Sequence, residues 1–141
     1  MSVHPDRRCE FGFPGPMRDR LVEAVLNGDK TATSSLLSGW QAEDEQLPVV
    51  GERQLVVDSA DAPVAVIEIV GVEIIRLGDA DLELAVAEGE DFRSVDEWRE
   101  AHEDFWVASG ASPPRPGARW HLDDDTDVVV ERFRVVTLLS G

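Results

Sequence analysis

The sequence is short of cysteine, of basic residues and of long apolar runs, and each shortage excludes a class of protein. Cys9 is the only cysteine among 141 residues, which excludes an internal disulfide and a metal site built from several cysteines. The 29 acidic residues outnumber 13 basic ones, and the net charge of −16 repels nucleic acid and anionic membranes. A long nucleic-acid footprint is therefore disfavoured, whereas a nucleoside, or an RNA strand held in a locally basic cleft, is not.

No segment has the character of a signal peptide or a membrane span. Residues 1–8 have no apolar core, and the longest apolar stretch, residues 63–77, is interrupted by Glu68, Glu73 and Arg76. We therefore expect a cytoplasmic protein without a membrane partner. The 43% hydrophobic content, with four Trp and five Phe, predicts a single folded domain.

Lysine is the scarcest basic residue, because Lys30 is the only one in the chain. An ammonium loses its proton on desolvation far more readily than a guanidinium, so lysine can serve as a base where arginine cannot. Lys30 stands in the run Gly28-Asp29-Lys30-Thr31-Ala32-Thr33, directly after an amphipathic segment. This exception to the arginine bias marks a candidate site, although a surface lysine in a helix-ending turn would give the same pattern.

Three segments with apolar residues at helical spacing predict helices in the first and middle parts of the chain. The first helix ends at Gly28, in the position of a C-cap glycine. The second runs from a cap at Asp79 to Gly89. The third begins at Ser94, which has capping-box spacing with Glu97.

Four β-rich segments predict strands, and they span residues 31–37, 54–58, 64–75 and 128–139. Gly71 inside the third segment predicts a bulge. Residues 38–48, which include Trp40, are predicted as an acidic loop, and residues 109–117 as a Pro/Gly loop. Strands early, helices in the middle and a strand at the end predict an α+β fold with a small sheet or barrel.

Three carboxylates crowd the end of the second predicted helix, at Glu88, Glu90 and Asp91. The carbonyl end of a helix carries partial negative charge, so each acid there costs roughly a few tenths of a kcal/mol. Sequences break such local rules at functional sites, which makes this segment a second candidate site. A solvated turn in a very acidic chain is the alternative interpretation.

Taken together, these segments resemble the ASCH domain family. The elements that carry the resemblance are residues 28–36 with their Gly-x-Lys-x-x-Thr pattern, Gly51-Glu52, residues 64–67, residues 87–91, the Ser94, Trp98, His102 and Phe105 spacing, and residues 131–136. The match runs in order from about residue 11 to residue 136. It implies one ASCH-like domain over residues 1–141, α+β in class, with a small PUA-like β-barrel flanked by helices and both candidate turns facing one cleft.

The resemblance also implies an activity and its residues. Some members of the family are similar to amidohydrolases that deacetylate N4-acetylcytidine, and others are associated with cleavage of RNA. The working lysine, threonine and glutamate of the amidohydrolases fall on Lys30, Thr33 and Glu90. Glu88 takes the place of Glu90 under a small shift of the alignment. The chain departs from the small amidohydrolases in longer loops, which leaves its substrate open.

These residue types suit amide hydrolysis without a metal or another cofactor. Thr33 would attack directly or position water, and Glu90 would carry a proton to the leaving nitrogen. Lys30 would act either as a neutral base or as a charged partner of the oxyanion. An ordinary Lys–Glu ion pair beside a strand threonine is the alternative interpretation.

Five further residues are predicted to contact a nucleoside-like substrate: Thr31, Ser34, Trp40, Glu88 and Arg53. Trp40 and Trp120 would stack on a base or anchor their loops. An RNA-binding module with ribonuclease activity is the competing class of function, and it rests on four arginines: Arg53, Arg93, Arg132 and Arg134. The oligomeric state is left open.

His102 lies one helical turn after Trp98 on the third predicted helix. The pair is expected to be a core tryptophan and a hydrogen-bonded histidine, or a support for the Glu88 turn. The acidic residues 123–127 lack the glycine and the distal glutamate of an EF-hand, so no metal site is predicted there.

Overall fold

The computed structural model describes residues 7–109 and 122–139, which form a five-stranded sheet and four helices. The strands are β1 (Arg7–Cys9), β2 (Ala32–Leu36), β3 (Arg53–Val57), β4 (Pro63–Arg76) and β5 (Asp127–Leu138). The helices are α1 (Pro16–Asn27), α2 (Leu37–Ala42), α3 (Leu82–Ala87) and α4 (Val95–Ala108). The α+β class agrees with the prediction.

The sheet is mixed, with the strand order β1-β3-β4-β5-β2. β1 runs parallel to β3, and the other three pairs are antiparallel. The sheet curls into a half-barrel and does not close within the described residues, because β1 and β2 stand at opposite ends of the strand order. The predicted small sheet or barrel is thus a half-barrel.

Two hydrophobic cores lie on the two sides of the sheet. One packs α1 against the sheet through residues such as Val25 and Phe133, and the other packs α3 and α4 through residues such as Trp98 and Val130. Successive side chains of a strand point to opposite faces, so β5 supplies both cores. Its register with β4 shifts between Ile69 and Gly71, which confirms the predicted bulge.

Capping residues fix the helix ends as predicted at two places. Gly28 follows α1 in a left-handed conformation with φ of 88°. The Ser94 hydroxyl accepts a hydrogen bond from the backbone N–H of Glu97 at 3.1 Å, and α4 begins there.

Of the predicted Pro/Gly loop, all residues after Ser109 lie outside the described residues, as does Trp120. Among the described residues, no helix is long and apolar enough to cross a bilayer.

Two local predictions were wrong. The start of the predicted acidic loop is the helix α2, in which the Trp40 indole N–H donates to the Ser35 hydroxyl at 2.9 Å. Six residues are too few to show helical periodicity, so this helix could not be predicted from the sequence. The cap of α3 is Asp81, whose carboxylate accepts the N–H of Leu84 at 2.9 Å, whereas Asp79 lies in a preceding 3₁₀ turn.

The turn after α3 presses against the backbone that leads into β2. The Thr31 N–H donates to the Ala87 carbonyl at 2.7 Å. A Cβ atom on Gly89 would lie 2.8 Å from the N, Cα and Cβ atoms of Lys30, and the φ of Gly89 is +74°. Glycine is thus required for the conformation of this turn and for its close approach to Lys30.

We expect Gly89→Ala to destabilise the fold more than Gly28→Ala. Both glycines have positive φ, but a Cβ on Gly28 meets nothing within 4 Å. Gly28→Ala therefore carries backbone strain alone, about 1–2 kcal/mol, and Gly89→Ala adds about 1–3 kcal/mol of overpacking. Urea unfolding followed by circular dichroism measures both losses. Equal losses would show that the turn does not press on Lys30.

Candidate functional site

A cleft of about 730 Å³ opens between the two edges of the half-barrel and the helices α1, α2 and α4. This volume is within the usual range of small-molecule sites. Six of the predicted site residues line the cleft: Lys30, Thr33, Ser34, Trp40, Glu88 and Glu90. Thr31 and Arg53 do not line it. Thr31 is exposed, and the Arg53 guanidinium lies 3.4 Å from the Glu68 carboxylate of β4.

The Lys30 amine is buried among oxygens, with its side chain 2% exposed. Nζ donates to the carbonyl of Ala32 at 2.9 Å, to the carbonyl of Glu88 at 3.2 Å and to Oε1 of Glu88 at 3.4 Å. The ring of Phe11 lies 5.5 Å from Nζ. Only an ammonium has three N–H groups for three acceptors, so these surroundings suit the charged form of Lys30.

Glu88 is 1% exposed and accepts hydrogen bonds from four side chains. Oε2 accepts from the Ser34 hydroxyl and the Trp98 indole, both at 2.7 Å, and Oε1 lies 3.2 Å from His102 Nε2 and 3.4 Å from Lys30 Nζ. Burial raises the pKa of Glu88, but the hydrogen bond from His102 and the charge of Lys30 outweigh burial and lower this pKa to about 2. Glu88 is therefore an ionised anchor and a poor proton donor.

His102 combines the two roles predicted for it. Its ring stacks on Trp98 with the centroids 4.4 Å apart, and its Nδ1 lies 2.8 Å from the Trp98 carbonyl. Nε2 contacts Glu88, so both ring nitrogens face acceptors, as they would in an imidazolium. Burial lowers the pKa of His102, but the hydrogen bond and charge of Glu88 prevail and raise it above the ordinary value.

Glu90 lines the same cleft but is more accessible than Glu88. Its Oε1 lies 3.6 Å from the Arg20 guanidinium, and its side chain is 20% exposed. Ligand atoms of Glu88, Glu90 and His102 lie within 4.8 Å of one another, the spacing of a small metal site. A cation there would compete with the four protein donors that already hold Glu88, so the cluster is better described as a hydrogen-bonded network.

The other face of β2 carries Thr33, which pairs directly with Glu131 of β5. Both residues line the cleft, and Glu131 is 8% exposed. Burial and the charge of the Glu52 carboxylate raise the pKa of Glu131, whereas the charge of Arg7 and a hydrogen bond from Gln54 lower it. The resulting pKa is about 7. No catalytic role is predicted for Glu131 from the sequence, although a lone acid after Val128-Val129-Val130 is a signal of a buried charge.

A second network holds the wall of the cleft near Glu131. Arg7 contacts both oxygens of Glu52, at 2.9 and 3.2 Å, and Gln54 donates to Glu52 at 2.7 Å. The Arg7 guanidinium also lies 5.7 Å from the centre of the Trp40 ring. Trp40 is therefore fixed from two sides, by Arg7 above its ring and by Ser35 at its indole nitrogen. The anchoring role predicted for Trp40 is present, and its ring still lines the cleft.

Comparison with known proteins gives the family. The ASCH domain model matches residues 7–137, and the chain therefore belongs to the ASCH domain family. A crystal structure of protein EF3133 from Enterococcus faecalis V583 is 30% identical, with a TM-score of 0.79, and the match covers 98% of this chain and 80% of that one. None of the curated proteins compared with the chain matches it.

Two further structures are similar. The ASCH domain from Lactobacillus crispatus JV V101 is 27% identical, with a TM-score of 0.79, over 92% of this chain and 79% of that one. A mutant ZmASCH protein from Zymomonas mobilis is 9% identical, with a TM-score of 0.50, over 86% of this chain and 69% of that one. The similarity to the Zymomonas protein shows a shared fold alone.

We expect Glu88→Gln to destabilise the protein at pH 7 by about 3–5 kcal/mol, because it leaves Lys30 buried without its counter-charge. The pKa of Glu88 is lowered from 4.5 to about 2 in the fold. Its stabilisation is thus fully present above about pH 4.5 and is lost as the pH falls through about 2, so the difference from wild type shrinks in acid.

Urea unfolding across this pH range measures the effect, and Glu90→Gln is the matched control. Among the described residues, Glu90 has one ion pair, the partly exposed contact with Arg20, so its substitution is expected to stay within about 0.5 kcal/mol of wild type. A Glu88→Gln variant as stable as the Glu90→Gln variant would show that Glu88 does not hold Lys30.

Proposed function

We propose that the cleft hydrolyses the amide bond of a small N-acylated nucleoside, with N4-acetylcytidine as the first candidate, and that it needs no metal. The observation that carries the proposal is the buried Lys30 ammonium, which Glu88 holds in a nucleoside-sized cleft that Thr33 also lines. A fixed cation in a water-poor site is the group that stabilises the oxyanion of acyl transfer. The activity would place the chain with the N4-acetylcytidine amidohydrolases of its family.

Each predicted catalytic residue receives one role in this proposal. The Thr33 hydroxyl attacks the acyl carbon. Lys30 remains charged and stabilises the oxyanion, since the 3.4 Å contact of Nζ with Oε1 of Glu88 is the longest of its three and the one that a substrate oxygen can share. Glu90, which lines the cleft with its side chain 20% exposed, accepts a hydrogen bond from the N–H of the amide and so holds the leaving group in place.

The charge of the cleft favours an uncharged substrate. Acidic residues outnumber basic ones along the lining by six to four, and the whole chain has a net charge of −16. A phosphate chain would meet repulsion on entry, whereas a nucleoside would not. Trp40, held by Arg7 and Ser35, offers a rigid aromatic face for the base. A cytoplasmic location, where nucleosides are available, belongs to the same proposal.

The competing function, a PUA-like RNA-binding module with ribonuclease activity, has weaker support. Three of its four arginines are already engaged by carboxylates. Arg53 and Arg134 both contact Glu68, at 3.4 and 3.0 Å, and Arg132 contacts Glu83 at 2.7 Å. To bind these arginines, an RNA phosphate would have to displace the carboxylates. RNA binding is therefore one of the outcomes that the experiment below measures.

We expect the purified protein to release cytidine from N4-acetylcytidine, as measured by chromatography. Thr33→Val and Glu90→Gln should each lower kcat by about 100-fold or more while retaining the melting temperature of wild type. Glu73→Gln, an exposed substitution on β4 away from the cleft lining, is the control and should keep full activity.

Wild-type protein without turnover, or turnover unchanged in both cleft variants, would refute the proposal. The salt dependence of binding then distinguishes the two functions, because the affinity for phosphates falls steeply as the salt concentration rises and the affinity for a neutral nucleoside does not. Tight association with single-stranded RNA at low salt, together with an absence of amidase activity, would support the RNA-binding module.

A further inference from the structure

Glu131 is a buried carboxyl group that the proposed reaction has not used. It follows three buried valines of β5, and its side chain faces the cleft rather than the core of α3 and α4, because Val130 points the other way. A strand position between two hydrophobic cores normally carries an apolar residue. An acid at this position calls for an explanation.

Register places Glu131 beside the proposed nucleophile. Thr33 and Glu131 are directly opposite each other in the antiparallel pair of β2 and β5. The Cβ atoms of such partners are about 4.5–5.5 Å apart on one face of the sheet, within reach of each other's polar atoms. Both Lys30 and Glu131 act on the pKa of the Cys9 thiol, so the two charged groups approach the same point of β1.

The charged and polar groups that act on the pKa of Glu131 come from three segments, whereas β2 and β4 place Thr33 and Val72 opposite it. β1 supplies Arg7, Glu52 lies directly before β3 and Gln54 within it, and the segment after α2 supplies Glu45. Arg7 is the main cation among them, and it already makes contacts of 2.9 and 3.2 Å with Glu52. Glu131 therefore shares the charge of Arg7 with the Glu52 carboxylate. Since Arg7 already pairs with Glu52, the fold does not need a second carboxylate at this place.

We infer that Glu131 is the proton-transfer residue of the cleft, which takes the hydroxyl proton of Thr33 and later returns it. The inference rests on the proposed amidase function and deepens it. It also gives the two buried acids different roles: Glu88 fixes the Lys30 ammonium, and Glu131 transfers the proton.

Glu131 takes up and releases a proton twice in one turnover. The Glu131 carboxylate accepts the Thr33 proton as Oγ1 bonds to the acyl carbon, and Lys30 stabilises the oxyanion. Glu131 then passes that proton to the exocyclic nitrogen as the C–N bond breaks, leaving an acyl ester on Thr33. Water adds to the ester and gives one proton to Glu131, which returns it to Oγ1 of Thr33 as the carboxylic acid leaves.

The electrostatics of the cleft support this division. The pKa of Glu131 is about 7, so near neutral pH its two protonation states are both populated, as a group that first accepts and then donates requires. The pKa of Glu88 is about 2, which keeps that carboxylate ionised throughout. Two acids whose environments separate their pKa values in this way are typical of an acid–base assignment.

The test compares the pH profiles of wild type, Glu131→Gln and Glu90→Gln on N4-acetylcytidine. Wild-type kcat should rise through one ionisation near pH 7, since the carboxylate form starts the reaction. Glu131→Gln should lose about 100-fold or more in kcat with little change in KM, and should lose the ionisation. Glu90→Gln should keep the ionisation, whatever its rate.

An active wild type with an unchanged rate and profile in Glu131→Gln would overturn this inference and leave the amidase proposal standing. An inactive wild type would overturn the amidase proposal, and the inference with it. Glu73→Gln again serves as the control with an unaltered profile.

Thermal melting gives a readout that needs no substrate. Because the folded-state pKa of Glu131 is raised from 4.5 to about 7, its stabilising contribution is full below about pH 4.5 and is lost as the pH rises through about 7. The melting temperature of wild type should therefore fall relative to that of Glu131→Gln across this range. A constant difference between the two proteins would show that Glu131 titrates normally and would refute the inference on its own.

Discussion

The buried ion pair of Lys30 and Glu88 is the interaction on which the site depends. Burying two charges costs several kcal/mol each, and their mutual attraction offsets this cost only when further hydrogen bonds satisfy both groups. Here Ser34, Trp98 and His102 supply those bonds. The pair therefore joins the turn before β2, the turn after α3 and the helix α4 at one point. Removing either partner would leave an uncompensated charge in the interior, so the fold and the position of the amine are fixed by the same contacts.

The alternation of β2 explains how one short strand serves two chemical environments. Ser34 points towards α4, where its hydroxyl donates to Glu88, and Thr33 points to the opposite face, where it lies opposite Glu131 in the register of β2 and β5. The acid on the α4 side is surrounded by donors and stays ionised. The acid on the other side lies among competing carboxylates and holds its proton more tightly. A single strand between them keeps the two environments apart, and both border the same cleft.

Local signals in the sequence predicted the local structure, and contacts between distant segments decided the rest. The C-cap at Gly28 and the N-cap at Ser94 depend on neighbouring residues, and both were confirmed. The choice between Glu88 and Glu90 as the partner of Lys30 depends on how a turn packs against a segment about sixty residues away, which no local pattern records. The burial of Glu131 depends on sheet register in the same way. Catalysis by Lys30, Thr33 and Glu90 remains a prediction.

The solitary Lys30 also gives the protein a chemical reporter of its own. Its side chain is 2% exposed, and apart from the amino terminus no other amine exists in the chain. An amine-directed reagent can modify the interior of the folded molecule only when the network around Glu88 opens. The rate of acylation at this one nitrogen would then measure how often the structure around Lys30 opens locally. A bound molecule that covers the nitrogen would slow the acylation, and no label has to be introduced.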